Sequence, residues 1–198
     1  AAVLGRSPFA DATPFTVWDR IVNRSARSGE SRVQQRGHDL EPVVLRRYAR
    51  RFDVELEVPA PFTTFTRAEH SSSTPDARAG GRLVEGKTSV SRDGWGPDGL
   101  VVEEWARGTI PAHYYLQVQH QAWVLDVGEV DVAALFPARE PFGDVELRVY
   151  TVRAAPAVQA RMVARLEEFW TRYVVPARPP PLDASAADSV RYRFGLLR

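Results

Sequence analysis

The stretch from Ser73 to Ser89, STPDARAGGRLVEGKTS, constrains the fold more than any other part of the chain. Gly80-Gly81 is a strong two-residue hairpin turn, because type I′ geometry needs positive φ at both central positions and glycine supplies it without steric cost. Once that turn is fixed, the register follows, since residues whose numbers share a sum face each other. Arg82 then opposes Ala79, and Glu85 opposes Asp76. Directly opposed side chains lie about 5 Å apart on one face, where two carboxylates repel. Side chains alternate along a strand, so Lys87 shares a face with Glu85 while Gly86 points the other way. Two anions and one ammonium on a tight hairpin stabilise it poorly by themselves. A divalent cation between the carboxylates turns that repulsion into coordination, because hard ions such as Mg²⁺ take oxygen ligands from one or two carboxylates plus substrate phosphate. The alternative is a solvated hairpin whose charges face water.

Composition bears on that choice through one residue. The chain holds 26 Lys+Arg, and Lys87 is the single lysine among them. Arginine is a broad planar fork that stays protonated, whereas lysine is a compact point charge whose pKa shifts on burial. A lone lysine two residues after an acid suits a site that rejects guanidinium. The net charge of +1 gives no global field for a polyanion, so such binding must come from local arginine clusters. One cluster is RRYARR, Arg46 to Arg51, whose simplest reading is a solvated helix face. The absence of cysteine excludes disulfides and thiolate zinc sites and fits a reducing cytoplasm. His38, His70, His113 and His120 show no zinc spacing. No apolar run approaches bilayer length, and the first residues do not read as a signal peptide. The 198 residues suit one domain with a sizeable core.

Along the chain, TPFTVWDRIVNR (13–24) predicts a helix with Thr13 as N-cap and Pro14 first, followed by a polar loop over 25–32. A second helical pattern covers 33–52, with Pro42 expected to kink it or mark a boundary. Residues 53–59 alternate as a strand, and 62–68 form a weaker one. Residues 94–108 read as loop, 111–128 as a helix, 129–138 and 144–154 as strands, and 156–175 as a helix. In the second helical pattern Gly37, Glu41, Val44 and Tyr48 share one stripe, so Glu41 is directed to the core side, where a carboxylate is costly unless paired or metal-bound. Gln117 and Gln121 are four apart and share a face, from which they can bond a ligand or hold the acids. Tyr114, Tyr115 and Trp123 suit core and rim. The element order predicts an α/β layered domain with a mixed sheet and helices on its faces.

Pro75-Asp76 followed by Glu85-Gly86-Lys87 matches the PD-(D/E)xK nuclease signature. Within that superfamily the chain resembles the YqaJ-like viral recombinase family, relatives of lambda-type phage exonucleases. The segments that carry the likeness are AAVLGRSPFADATPFTVW, RGHDLEP, STPDA with GGRLVEGKTS, GWG, IPAHYYLQVQHQAWV, VAALFPAR and FWTRYVVPARPPPLD, in this order. The resemblance implies a restriction-endonuclease-like core, with residues 1–178 as a single nuclease domain and 179–198 as a Pro-rich irregular tail. It implies an exonuclease that resects linear duplex DNA ends for phage-type recombination, leaving single-stranded tails for an annealing protein. Carried over by position, Asp76, Glu85 and the Gly86 carbonyl are metal ligands for Mg²⁺, or Mn²⁺ in its place. Glu41 completes the site, Gln117 faces it, Lys87 activates the attacking water and stabilises the phosphate, and Thr74 lies near the terminal phosphate. Ala77 stands where the family has glycine, and Gly86 where it has an apolar residue. The family's preceding Gly-Ala-Ser/Thr-type segment, which helps hold a 5′ phosphate, has no counterpart in these residues. The resemblance further implies a phage or prophage protein in a bacterial cytoplasm, no membrane partner, and a ring-shaped homo-oligomer. An endonuclease or repair nuclease on the same core, and a catalytically lapsed DNA-binding subunit, remain as alternatives.

Overall fold

A threonine pair opens the first helix of the computed structural model, which describes residues 1–9, 12–25, 31–61, 63–138 and 143–182. The Thr13 side chain accepts from the Thr16 N–H, and the Thr16 hydroxyl accepts from the Thr13 N–H, so the entry to α1 (Pro14–Val22) is a reciprocal capping box with proline at the first position. Helix α2 (Arg32–Phe52) opens in the same way from Ser31 and Gln34. The described residues divide into two compact units, one within Ala1–Gly29 and Ala160–Arg198, the other within Glu30–Gln159.

The second unit carries the sheet. Strands β3 (Ala77–Ala79), β4 (Arg82–Thr88), β5 (Val101–Val102), β6 (Glu129–Phe136) and β7 (Glu146–Arg153) lie in the order β3-β4-β6-β7-β5, while β1 (Phe65–Ala68) and β2 (Ser71–Ser73) form a separate antiparallel pair. β4 runs parallel to β6, and β5 parallel to β7; the other two pairings are antiparallel. Alternation along β4 divides the core into two layers. Val84 packs with Val44, Leu45 and Tyr48 of α2 on one face. Leu83 packs with Tyr115, Val118 and Ala122 of α3 (Ala112–Leu125) on the other. In the first unit α1 is tied down by Trp18, whose indole N–H donates to the Tyr173 carbonyl at 2.9 Å. Helix α4 (Pro156–Phe169) continues as a π-helical turn, Trp170–Val174.

The hairpin register is the expected one, with Ala79 paired to Arg82 and Ala77 to Val84. Its turn differs in type. Only Gly80 lies at positive φ (58°), so the turn has the single positive first position of a II′ turn rather than the two of I′. Pro42 neither breaks nor bounds α2, which runs through it unbroken. The proline removes a bond to the His38 carbonyl, and both residues are exposed, so solvent can take the freed acceptor. Residues 53–59 are not a strand. Asp53 adopts the left-handed C-cap of α2, and only Glu57 pairs, by an isolated bridge to Arg78. The 94–108 segment is not all loop, since it contributes the edge strand β5. Gly96 is fixed there by close approach: a Cβ would stand 2.5 Å from the Gly108 carbonyl oxygen, while Arg148 and Tyr150 both donate to the Gly96 carbonyl. α3 ends at Asp126, in left-handed conformation, ahead of Gly128. Residues 26–30 of the expected polar loop, Phe62 and residues 183–198 of the expected tail lie outside the described residues.

Candidate active site

Glu85 is the centre of the site, and it is almost wholly buried. β4 aims it at α3, where two glutamines one turn apart meet it. Gln117 Nε2 donates to Glu85 Oε1 at 2.6 Å, and Gln121 Nε2 donates to Oε2 at 2.6 Å. The Lys87 ammonium, two residues along the same face, also pairs with Glu85 Oε1. Three donors therefore fix one buried carboxylate, as a charge taken out of water requires. Lys87 is itself largely buried and its ammonium lies 5.1 Å from the Tyr114 ring centroid. Burial works against its charge, but the Glu85 and Asp76 carboxylates outweigh burial and hold its pKa above the ordinary lysine value.

The other two acids reach β4 from its opposite face. By register Asp76 would sit across from Glu85, but β3 begins at Ala77, and the Asp76 carboxylate instead accepts the Gly86 N–H at 2.8 Å. A Cβ at Gly86 would stand 3.5 Å from Asp76 Oδ2, 3.5 Å from Val44 Cγ1 and 3.7 Å from Glu41 Cγ. Position 86 thus leaves open a cradle between Asp76 and Glu41. Glu41 also lies 3.9 Å from His38 Nδ1. Burial first, then the anions Glu85 and Glu41, push the Asp76 carboxyl up to about 8, against the opposing pull of Lys87 and the Gly86 N–H.

Among the described residues, no three His, Cys, Asp or Glu side chains form a metal cage. The oxygen donors still fit a hard ion, because Mg²⁺ keeps several waters and takes few protein carboxylates, the rest of its shell coming from substrate. The cradle at Gly86 and the raised Asp76 are the local features that a cation would satisfy. Thr74 is exposed, and its hydroxyl donates to the Thr63 carbonyl at 2.9 Å, tying it to the β1 side of the fold. Ala77 needs no glycine: it is fully buried, and its φ is not positive.

The sequence reading brought Glu41, Asp76, Glu85, Gly86, Lys87 and Gln117 to one place, and the structure gathers those six around β4. It set aside Tyr114, which lies three residues before Gln117 on the same helical face and backs the lysine. The i, i+3, i+7 spacing of Tyr114, Gln117 and Gln121 was the available signal.

The profile of the YqaJ-like viral recombinase domain matches residues 1–128. No curated protein sequence matches the chain. Among solved structures, LHK-Exo, an alkaline exonuclease from Laribacter hongkongensis, superposes with TM-score 0.54 at 15% identity, over 91% of this chain and 93% of that one. LHK-Exo in complex with dAMP gives 0.55 at 14%, over 87% and 79%. A phage-related exonuclease from Haemophilus somnus gives 0.59 at 10% identity, over 81% and 79%. At these identities the likeness shows the fold, the restriction-endonuclease-like arrangement of a mixed sheet with helices on its faces.

Proposed function

The chain belongs to the YqaJ-like viral recombinase domain family, and from that premise we propose that it is a metal-dependent deoxyribonuclease acting on the ends of linear duplex DNA. The observation that carries this reading is the buried Glu85, held by Lys87, Gln117 and Gln121 beside an Asp76 whose carboxyl is pushed up to about 8. Asp76, Glu85 and the Gly86 carbonyl would hold Mg²⁺, or Mn²⁺, with Glu41 completing the set. When bound, the ion supplies a Lewis acid that lowers the pKa of water and neutralises phosphate charge.

The chain's own groups do the rest. Gln117 and Gln121 hold Glu85 in one rotamer, so its oxygens are pre-set and need no reorganisation. Lys87 brings an ammonium close to Glu85, from which it can donate to a non-bridging phosphate oxygen or to the attacking water. The Tyr114 ring and the burial of the lysine keep that charge largely from solvent, which strengthens it. Thr74 is assigned to a DNA phosphate, to which its one hydroxyl proton would be donated in place of the Thr63 carbonyl. The reading places the protein in a bacterial cytoplasm as a phage-type recombination nuclease, passing single-stranded tails to an annealing protein, with a homo-oligomeric ring as its assembly. Among the described residues no helix is long and apolar enough to cross a membrane.

The test is digestion of 5′-phosphorylated linear duplex and of closed circular duplex, each with Mg²⁺ or with EDTA. Loss of linear DNA alone, only with metal, is the expected result. Cutting of the circle makes the protein an endonuclease on the same core. Binding without cleavage in either condition makes it a lapsed DNA-binding subunit.

A further inference from the structure

Helix α2 has two faces of different chemistry. Glu41, Val44 and Tyr48 occupy the face toward β4, with Val44 and Tyr48 buried. At 3.6 residues per turn the opposite face carries Val43, Arg46, Arg47 and Arg50, all three arginines exposed. Arg32 and Arg36 continue it toward the N-terminus, and Asp39 is the one acid on it. Val43, Arg46, Arg47 and Arg50, with Arg51 and Leu147, line an open groove of about 590 Å³.

Several arginines elsewhere in this unit are ion-paired. Arg51 pairs with Asp98, Arg67 with Asp126, Arg82 with Asp131 and Glu129, Arg148 with Glu146, and Arg153 with Glu103. Among the described residues, Arg46, Arg47 and Arg50 have no ion-pair partner. Three like charges inside about one helical turn repel each other, and side chains that face water do not serve the core.

We propose that this face of α2 is a docking track for the backbone of duplex DNA, separate from the acids that would cut it. The proposal rests on the nuclease reading and adds to it a place where uncut DNA is held. Duplex DNA offers one phosphate charge per about 1.7 Å of axis, and Arg46 to Arg50 covers about 6 Å at 1.5 Å per residue, so the charge densities suit each other. The guanidinium fork matches phosphate oxygens. A protein partner is the weaker fit, because protein interfaces draw their energy from buried aromatic and apolar anchors, and this groove offers only Val43 and Leu147 among four arginines. Because the track faces away from Glu41, the phosphates it holds are not the scissile one.

The experiment uses a triple variant, Arg46→Gln/Arg47→Gln/Arg50→Gln, and the matching triple Arg→Lys variant. Affinity for a 5′-phosphorylated duplex of several helical turns is measured in EDTA over a salt series, so that cleavage plays no part. The expected result is a salt slope shallower by about 2.7, three phosphates at about 0.9 each, for the glutamine variant, with the lysine variant close to wild type. With metal added, the loss should fall on KM, with kcat largely kept. Unchanged affinity and slope in the glutamine variant, where wild type binds and cuts, overturn the track and leave the nuclease reading intact. A collapse of kcat in a variant whose melting is unchanged places these arginines at the cutting site and overturns the separation. Binding of poly-glutamate at this face with duplex affinity unaffected makes the partner an acidic protein and overturns the proposal. A wild type that neither binds nor cuts duplex sinks both readings together.

Discussion

Gly86 decides how close two acids can come. Its missing side chain would point between Asp76, Glu41 and Val44, and a methyl there meets them at 3.5–3.7 Å, which is ordinary contact. A branched side chain has no such room, since Val44 already fills the space that an apolar residue at 86 would take. Glycine also weakens a strand by about 0.5–1 kcal/mol relative to alanine. Gly86→Ala should therefore melt a little higher and keep digestion within about threefold of wild type. Gly86→Val should overpack the cradle at a cost of about 1–3 kcal/mol and lose most activity, and Val44→Ala in the same protein should restore much of it. A double variant no better than Gly86→Val in folding and digestion would remove Val44 from this account. Lys87 is the other single residue on which the chemistry turns. Removing one preorganised donor from developing charge costs on the order of 10²–10³ in kcat, so Lys87→Ala should fold normally by circular dichroism and digest slower by that factor. Lys87→Arg should not rescue it, because a planar fork does not fit where a point charge sits between Glu85 and the Tyr114 ring. Parental digestion by Lys87→Ala would end its assignment.

At the scale of elements, α3 acts as a clamp on β4. Gln121 is buried and, among the described residues, is the sole side-chain donor to Glu85 Oε2, whereas Oε1 has both Gln117 and Lys87. Hydrogen bonds to charged groups contribute about 1.5–3 kcal/mol, so Gln121→Leu should lower stability in urea unfolding by about that much. It should also raise the Mg²⁺ concentration needed for half-maximal digestion, with calorimetric Mn²⁺ affinity falling in step. Unfolding and metal affinity both unchanged would mean that Glu85 keeps its rotamer without this glutamine. This clamp was legible in the sequence because it rests on local spacing: a Gly-Gly turn sets the hairpin register, and a four-residue step puts two glutamines on one helical face. What escaped the reading depends on partners far along the chain. Asp131 is a buried acid that accepts from Tyr48 at 2.6 Å and Thr151 at 2.7 Å and pairs with Arg82 at 3.1 Å, and burial of Tyr48, with its hydrogen bond to Asp131, holds the tyrosine pKa up. Its four members come from α2, β4, β6 and β7, so no window of sequence contains the network; the one local hint was an acid inside the apolar run EVDVAALF. The same reason explains β5, a two-residue strand defined only by pairing to β7, and the helix that continues through Pro42, which depends on which face meets solvent.

For the molecule as a whole, the acids around β4 tie folding to pH and to metal. Asp76 is held up to about 8, chiefly by burial and then by Glu85 and Glu41, against the 3.8 of an ordinary aspartate. In the folded protein it keeps a proton that the unfolded chain has already released over that interval. Its contribution therefore favours folding fully below the unfolded value and is lost as pH rises through about 8. In EDTA the melting temperature should fall by a few degrees as pH is raised through this range, since about 1 kcal/mol corresponds to about 2–4 °C for a chain of this size. Asp76→Asn, which cannot lose the proton, should flatten that fall. Millimolar Mg²⁺ should reverse it, because an ion that binds the ionised acids of the native state and not the unfolded chain stabilises by mass action, and does so more strongly once the proton has gone. The measurement is a set of thermal melts across pH, with EDTA and with Mg²⁺, for wild type and Asp76→Asn. Wild-type melts that run parallel in EDTA and Mg²⁺ at every pH would mean that the cluster holds no cation, and the assignment of Asp76 and Glu85 as its ligands would fall with that result.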